Sequence, residues 1–292
     1  MFENENVYNQ HIAIELPYNI ELYIKREDLL HEEVSGNKFR KLKYNIAKAK
    51  ELGYNKLLTF GGAYSNHIAA TAAAGRICGI DTIGIIRGEE LATKYKDNHT
   101  LSKAVNDGME LGFLSRSDYR LKNEEEVINR LHTQYGDFYL VPEGGTNMEA
   151  IRGTEEILKP TDCDFDYVCT AVGTGGTIAG IINSSQAHQT VLGFPALKGE
   201  FLYNDIKLYT DRTNWDLIID YHFGGYAKYT DELITFIKGF QEETGVLLDP
   251  IYTGKMMFGV IQKIKEGYFK EGSKILAIHT GGLQGWSSKI KN

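Results

Sequence analysis

The sequence lacks the long apolar runs and the basic clusters that mark membrane and nucleic-acid-binding proteins. No stretch approaches the roughly 18 uninterrupted apolar residues that a membrane-spanning helix needs, and residues 1–11 are polar and acidic. No cluster of five basic residues occurs, and the formal net charge is −7, which disfavours nucleic acid and anionic membranes as partners. We therefore expect a cytoplasmic protein that acts on small molecules.

Cysteine is scarce, and the signatures of metal and hydrolase sites are missing. Cys78, Cys163 and Cys169 form no C-x-x-C pair, so neither a disulfide framework nor a zinc ribbon is expected, and we interpret them as small core residues. The histidines show no H-x-x-x-H or H-x-H spacing, and no serine lies in G-x-S-x-G. The sequence therefore predicts no metal ion and no serine-hydrolase site.

Short apolar or β-branched runs alternate with segments of helical periodicity along the chain. Residues 39–52 and 257–268 carry the clearest one-sided apolar stripes. The alternation predicts an α/β fold with mainly parallel sheets flanked by helices, in which ligands bind beyond the carboxyl ends of the strands. The predicted strands span residues 56–60, 82–87, 138–141, 167–172, 190–194, 217–221 and 274–279.

A glycine-rich turn follows the predicted strand 167–172 and opens a helix. It consists of Gly173, Thr174, Gly175, Gly176 and Thr177. Backbone N–H groups at such a helix start bind phosphate. A dinucleotide site is disfavoured because Ile178 replaces the third glycine of G-x-G-x-x-G, and no P-loop motif occurs. The turn indicates a phosphate monoester site, with a structural tight turn and a nucleotide site as the alternatives.

Lys38 precedes the first strong helical pattern, in the segment Ser35-Gly36-Asn37-Lys38. A lysine in the first turn of a helix lies near the positive end of the helix dipole, which lowers its pKa and favours the amine needed for imine chemistry. A single lysine is most often a solvated surface charge. Lys38 is therefore informative only together with the other motifs.

The segment FGGAYSNH places a hydroxyl, an amide and an imidazole at the end of the predicted strand 56–60. These groups belong to Ser65, Asn66 and His67, just before a helix of small residues. Ser65 or Asn66 is also a suitable N-cap for that helix. The two roles are compatible, because a capped helix start presents N–H groups to an anion such as a substrate carboxylate.

Three further turns carry hydroxyl side chains that could contact a cofactor or a substrate. The segment DPIYTGK opens the last predicted helix with Tyr252 and Thr253, and Thr280 follows the last predicted strand. Tyr226 lies in a glycine-flanked turn, where a simple packing role is the alternative.

Taken together, six segments resemble, in order and spacing, the 1-aminocyclopropane-1-carboxylate deaminase/D-cysteine desulfhydrase family. They are SGNKFRKL, FGGAYSNH, PEGGTNMEAIRG, VGTGGTIAG, DPIYTGK and IHTGG. The resemblance implies a pyridoxal 5'-phosphate cofactor and a two-domain fold of the tryptophan-synthase-β type. It also implies a larger cofactor-binding domain of residues 1–39 and 149–292, a smaller α/β domain of residues 40–148, and a homodimer.

The same resemblance assigns roles to the site residues. Lys38 matches the lysine that carries the cofactor as a Schiff base, and residues 173–177 match the loop that cradles the cofactor phosphate. Asn66 matches the residue beside the pyridine ring. Ser65, a catalytic residue, and His67 flank the substrate.

Four hydroxyl residues match positions that shape the chemistry in this family. Tyr226 and Tyr252 resemble its two active-site tyrosines. Thr253 and Thr280 occupy positions where the ring-opening members resemble Y-E-G-K and H-L-G-G, with the glutamate facing the pyridine nitrogen. A carboxylate there keeps the ring a strong electron sink, whereas a threonine hydroxyl cannot supply that charge. The threonines therefore favour β-elimination.

The sequence thus predicts a lyase that converts D-cysteine to pyruvate, sulfide and ammonia, with Lys38 removing the Cα proton. Deamination of 1-aminocyclopropane-1-carboxylate to 2-oxobutanoate and ammonia is the alternative reaction, and a racemase or another β-eliminase is a third possibility within the same chemistry. A catalytically idle protein that binds pyridoxal phosphate is the alternative from another functional class.

Overall fold

The computed structural model describes residues 7–198 and 201–283. Its strands are β1 (Asn9–His11), β2 (Glu21–Lys25), β3 (Lys56–Gly61), β4 (Asp81–Arg87), β5 (Glu110–Leu114), β6 (Tyr139–Val141), β7 (Tyr167–Val172), β8 (Thr190–Pro195), β9 (Trp215–Leu217) and β10 (Lys274–Ile278). Its helices are α1 (Asn37–Glu51), α2 (Asn66–Cys78), α3 (His99–Asn106), α4 (Arg116–Arg120), α5 (Glu125–Tyr135), α6 (Met148–Glu155), α7 (Gly176–Ser184), α8 (Phe201–Lys207), α9 (Asp231–Thr244) and α10 (Thr253–Lys265).

The strands form two sheets. The first has six strands in the order β1-β2-β10-β7-β8-β9, and the second has four in the order β5-β4-β3-β6. Every neighbouring pair is parallel except β1 and β2 at one edge. The four-stranded sheet comes from residues 56–141, and the six-stranded sheet comes from residues before 26 and after 166. The predicted α/β class with mainly parallel sheets is confirmed.

Helices cover both faces of the six-stranded sheet, and successive residues of β7 point into opposite cores. Cys169 and Ala171 pack with α9 and α10 in one hydrophobic cluster, whereas Val168 and Val172 pack with α7 in another. A strand buried on both faces reads as a continuous apolar run, which is why β7 was predicted with its observed bounds. Each fully buried Val, Leu or Ile side chain contributes about 1.5–3 kcal/mol to folding.

Helix α1 connects the two sheets and sets the position of Lys38. It begins directly after Gly36, whose φ is 59°. A Cβ atom at Gly36 would lie 2.0 Å from the carbonyl oxygen of Thr280, so only glycine allows this close approach between α1 and the loop after β10. Phe39 and Leu42 then pack against Leu57 in the core of the four-stranded sheet.

Several local predictions were wrong. The run 217–221 is not one strand, because β9 ends at Leu217 and the chain turns into the 3₁₀ helix Ile219–Tyr221. The apolar run concealed this turn, in which Ile219 is exposed. Strands β1, β2 and β5 were not predicted. Cys163 is exposed, and only Cys169 of the three cysteines is fully buried.

No helix within residues 7–198 and 201–283 has the length and apolar character required to cross a membrane.

Candidate active site

A cavity of about 440 Å³ lies where the carboxyl ends of strands from both sheets meet. This is the location expected for a ligand site in parallel sheets. All the predicted site residues except Gly176 and Thr253 line it. The lining residues that the sequence had predicted are Lys38, Ser65, Asn66, His67, Gly173, Thr174, Gly175, Thr177, Tyr226, Tyr252 and Thr280.

Lys38 is the second residue of α1 and lines this cavity. Burial lowers its pKa to about 8 from the ordinary value of 10.5, since the charged form loses hydration. The helix dipole is the cause that the sequence predicts for a lowered pKa, but burial is the largest cause. Within the described residues, its amino group has no hydrogen bond or ion pair. Lys38 is thus a partly deprotonated amine available for imine chemistry.

Lys41 lies one helical turn after Lys38 and was missed by the sequence analysis. Its amino group donates to the carbonyl oxygen of Gly144 at 3.0 Å and to the hydroxyl of Thr146 at 3.2 Å. Burial lowers its pKa well below the ordinary value, and the nearby charge of Lys38 lowers it further. The i, i+3 spacing of the two lysines in SGNKFRKL was the available signal, because such residues share one helix face.

The loop 173–177 forms the end of the cavity beside Lys41. Gly175 adopts φ 83° and is the N-cap of α7, so the first N–H groups of that helix have no intrahelical acceptor. The hydroxyls of Thr146 and Thr174 lie 2.7 Å apart at the same place. Gly176 is the first residue of α7 and packs against Thr146 and Lys41. A Cβ atom added to Gly176 would lie 2.8 Å from the Thr146 hydroxyl and 3.0 Å from Lys41 Nζ.

Ser65 and Asn66 occupy the start of α2. The Ser65 hydroxyl accepts a hydrogen bond from the N–H of Ile68 at 3.3 Å, which confirms Ser65 as the N-cap. Asn66 is the first helical residue, and both residues line the cavity. The free N–H groups and dipole of this helix start suit a carboxylate.

His67 is a buried, neutral histidine with one unsatisfied nitrogen. Thr59 donates its hydroxyl proton to the carbonyl of Val141 at 2.8 Å, so its oxygen accepts from His67 Nε2–H at 2.9 Å. Nδ1 is therefore unprotonated, and it has no hydrogen-bond partner among the described residues. Burial, followed by the charges of Lys38 and Lys41, holds the His67 pKa well below its ordinary value.

Tyr226 and Tyr252 approach edge to face, with ring centroids 6.2 Å apart. Burial raises the pKa of Tyr252 well above its ordinary value, and burial also raises the pKa of Tyr226 although the neighbouring Tyr252 hydroxyl opposes this. Both hydroxyls are therefore protonated at neutral pH. They can donate hydrogen bonds to a substrate, but they do not act as resident phenolates.

The family model of the pyridoxal-phosphate dependent enzymes matches residues 11–281. The chain belongs to this family.

Similar proteins support the same assignment. A mitochondrial protein of Arabidopsis thaliana, named bifunctional D-cysteine desulfhydrase/1-aminocyclopropane-1-carboxylate deaminase, is 34 % identical over 94 % of this chain and 75 % of its own length. A Klebsiella pneumoniae protein named D-cysteine desulfhydrase is 29 % identical over 90 % of this chain and 87 % of its own length. The predicted family resemblance is confirmed.

A solved structure supports the predicted fold. The crystal structure of a protein described as an ACC deaminase homologue has a TM-score of 0.80 and 29 % identity, covering 97 % of this chain and 91 % of that one. The predicted fold of the tryptophan-synthase-β type is therefore confirmed.

The residues present fit the cofactor of this family. A phosphate group suits the cradle formed by the loop 173–177, the start of α7 and the buried amino group of Lys41, whose protonated form a bound anion would favour. His67, whose Nδ1 has no hydrogen-bond partner among the described residues, and Lys38 line the same cavity. Lys38 would hold the cofactor through its amine, and the bound cofactor supplies an electron sink for the substrate Cα.

Thr253 lies outside the cavity lining and is fully buried. Its hydroxyl donates to Asp249 Oδ2 at 2.7 Å and accepts from the N–H of Asp249 at 2.9 Å. Asp249 was not singled out from the sequence. Its carboxylate also accepts the N–H groups of Ile251 and Tyr252, each at 2.8 Å, and thereby fixes the turn that presents Tyr252 to the cavity.

Arg87 and Glu143 line the outer part of the cavity and were also missed. Glu143 accepts a hydrogen bond from Tyr119 at 2.9 Å and pairs with Lys122 at 3.2 Å. Arg87 is exposed at the carboxyl end of β4. We call Arg87, Tyr119, Lys122 and Glu143 the mouth cluster. Their proximity arises from the packing of β4, α4 and the turn after β6, which sequence spacing does not report.

Proposed function

We propose that this chain is a lyase that uses pyridoxal phosphate to remove a β leaving group from a small amino acid. D-Cysteine is the proposed substrate, with pyruvate, sulfide and ammonia as products. The observation that carries this proposal is a lysine with a pKa of about 8 in a cavity that ends in a phosphate cradle. A buried amine of this kind can both hold the cofactor and remove a proton from the substrate Cα.

The substrate carboxylate would bind at the start of α2. Ser65 and Asn66 line the cavity there, and the helix terminus supplies N–H donors and positive potential. This placement leaves the substrate Cα free to face Lys38. The protonated hydroxyls of Tyr226 and Tyr252 would donate hydrogen bonds to the substrate from the side of the six-stranded sheet.

The acidic side chains in and near the cavity are all engaged by other residues, and this favours elimination over ring opening. Among the described residues that line it, Glu143 is the sole acid, and it is engaged by Tyr119 and Lys122. Thr280 contributes a hydroxyl, and Asp249 is engaged by four donors. A pyridine ring without a carboxylate partner is a weaker electron sink, which is sufficient when Cβ carries a good leaving group.

The second candidate reaction is the deamination of 1-aminocyclopropane-1-carboxylate. The name of the Arabidopsis relative includes this reaction, and Lys38 together with the tyrosine pair is available for it. Position 253 carries threonine where the ring-opening members carry glutamate, and this makes the reaction the second candidate, because ring opening has no leaving group to assist the cofactor.

The deciding experiment measures initial rates of 2-oxoacid release by the cofactor-loaded protein. D-Cysteine, L-cysteine and 1-aminocyclopropane-1-carboxylate are compared in parallel, with sulfide measured for the two cysteines. We expect the highest kcat/KM with D-cysteine and equal amounts of sulfide and pyruvate. Preference for the cyclopropane would replace the first proposal by the second, and inactivity towards all three would reject both.

We further propose a cytoplasmic homodimer whose subunit has a larger domain of residues 1–39 and 149–292 and a smaller domain of residues 40–148. The family resemblance supports the dimer, and the separate origins of the two sheets along the chain support the division. The boundary at residue 39 falls inside α1. Light scattering of the cofactor-loaded protein tests the dimer, for which the expected mass is twice 32.8 kDa.

A further inference from the structure

We propose that Arg87 binds an anionic group at the far end of the substrate side chain. The preferred substrates would then be β-substituted alanines whose leaving group carries a carboxylate or a similar anion. This inference rests on the proposed β-elimination and extends it, because D-cysteine itself is too short to carry such a group.

Arg87 is held on a rigid part of the fold. It is the last residue of β4 and pairs with Leu114 of β5 at the end of the parallel ladder. The next residue, Gly88, donates its N–H to the carbonyl of Leu114 at 2.8 Å with φ 117°. The backbone on both sides of the Arg87 side chain is therefore fixed, and its guanidinium group is presented at the cavity from a strand end rather than from a long loop.

The charges of the mouth cluster leave one cation uncompensated. Glu143 is paired with Lys122 and also accepts from Tyr119. Within residues 7–198 and 201–283, Arg87 forms neither a hydrogen bond nor an ion pair. The protein carries a net charge of −7, so an uncompensated arginine at the cavity mouth creates a local positive potential on a negatively charged protein.

The other anionic groups expected in the cavity have binding sites of their own. The phosphate cradle uses Lys41 and the start of α7, and the substrate carboxylate has the start of α2. Arg87 belongs to neither site, yet it lines the same cavity and acts electrostatically on the Tyr226 hydroxyl. A guanidinium group in this position suits a third anion, and its planar donors match a carboxylate well.

The chemistry balances for a thioether substrate such as S-carboxymethyl-D-cysteine. Lys38 takes the Cα proton, the Cα–H electron pair forms the Cα–Cβ double bond, and the Cβ–S bond breaks with its electrons on sulfur. Mercaptoacetate leaves, and addition of water to the remaining enamine gives pyruvate and ammonia. Arg87 would hold the carboxylate of the leaving group throughout this step.

The test compares two substrates of nearly equal size that differ in charge. S-Carboxymethyl-D-cysteine ends in a carboxylate, whereas S-carbamoylmethyl-D-cysteine ends in a neutral amide. We expect the wild-type protein to prefer the carboxylate by about tenfold or more in kcat/KM, the size of one partly solvated charge-assisted hydrogen bond. Arg87→Gln should abolish the preference, and Arg87→Lys should retain part of it.

Arg116→Gln is the matched control. Arg116 is an exposed arginine that pairs with Glu90 and does not line the cavity, so its substitution changes the net charge equally. We expect it to keep the wild-type preference. Equal rates for the two substrates in the wild-type protein would overturn the proposal, as would an equal loss of preference in the Arg116→Gln and Arg87→Gln proteins.

A binding measurement separates this proposal from the proposed function. The same two compounds are titrated into each protein while the visible absorbance of the bound cofactor is followed. An Arg87-dependent preference in affinity without turnover of any thioether or of D-cysteine would reject the β-elimination and retain the anion site. Turnover of D-cysteine without a preference in either measurement would retain the proposed function and reject the anion site.

Discussion

The hydroxyl of Thr253, the first residue of α10, binds the carboxylate of Asp249 in the turn before the helix. Thr253 donates its hydroxyl proton to Asp249 Oδ2 at 2.7 Å and accepts the Asp249 N–H at 2.9 Å, and both residues are fully buried. The two bonds hold the hydroxyl away from the cavity. This geometry gives Thr253 a structural role that the sequence did not indicate.

Replacing Thr253 with valine tests that role. The substitution leaves the N–H of Asp249 without its acceptor in a buried site, so we expect a loss of about 1–3 kcal/mol in the free energy of unfolding. Thr133→Val is the control, because Thr133 is exposed on α5. Urea unfolding of the cofactor-free proteins measures the difference, and equal stability of the Thr253→Val and wild-type proteins would contradict the assignment.

The sequence resemblance predicts a second consequence at the same position. Thr253→Glu combined with Thr280→Leu introduces the residues typical of the ring-opening members. A glutamate at position 253 cannot keep the hydrogen bonds of the Thr253 hydroxyl with Asp249, because two carboxylates repel each other, so we expect it to turn into the cavity. The expected result is a gain in release of 2-oxobutanoate from 1-aminocyclopropane-1-carboxylate. We also expect reduced pyruvate release from D-cysteine, because a carboxylate near the ring strengthens the electron sink. The two rates are measured on the same cofactor-loaded preparation. If the double variant gains no ring-opening activity, the interpretation of these two positions is wrong.

Sequence patterns predicted the parts of the molecule that depend on local chemistry. Lys38, the glycine loop 173–177 and the Ser65 cap each follow a strand or open a helix, and ordered motifs identified them. The direction of the Thr253 hydroxyl depends on one side-chain rotamer and on Asp249, which no periodicity reports. The position of a motif in the chain was therefore predictable, but the direction of its side chain was not.

The missed site residues depend on contacts between distant segments. Arg87 ends β4 and Glu143 follows β6, and they line one cavity only because these strands lie on either side of β3. Lys41 could have been found from its i, i+3 spacing to Lys38, but an isolated lysine on a helix is usually solvated. Its burial follows from the packing of α1 against α6 and the turn at Gly144.

The buried amino group of Lys41, protonated beside a bound phosphate anion, should set the affinity for the cofactor phosphate. Lys41→Gln removes a charge-assisted interaction worth about 1.5–3 kcal/mol, so we expect the dissociation constant of pyridoxal phosphate to rise by roughly 10- to 100-fold. Lys43→Gln on the same helix is the control, because Lys43 pairs with Glu156 outside the cavity. Equilibrium dialysis measures both constants, and similar values for Lys41→Gln and Lys43→Gln would exclude Lys41 from the cradle.

The lowered pKa of Lys38 predicts how the stability of the cofactor-free protein depends on pH. In the folded protein this pKa is about 8, against 10.5 for the free side chain. Between these values the unfolded chain binds the proton while the folded chain does not, so the contribution of Lys38 to the free energy of unfolding rises with pH. Below about pH 8, the full cost of burying the charge is present in the folded state.

Lys38→Met removes this cost, and we expect the cofactor-free variant to be more stable than the wild-type protein at pH 7. The advantage should shrink as the pH rises from about 8 and should disappear above about 10.5, where both wild-type states are deprotonated. Lys48→Met is the control, because Lys48 lies on the same helix with its side chain 37 % exposed. Urea unfolding at several pH values measures the difference between the proteins. A difference that stays constant with pH would show that packing at position 38, and not its charge, determines the effect.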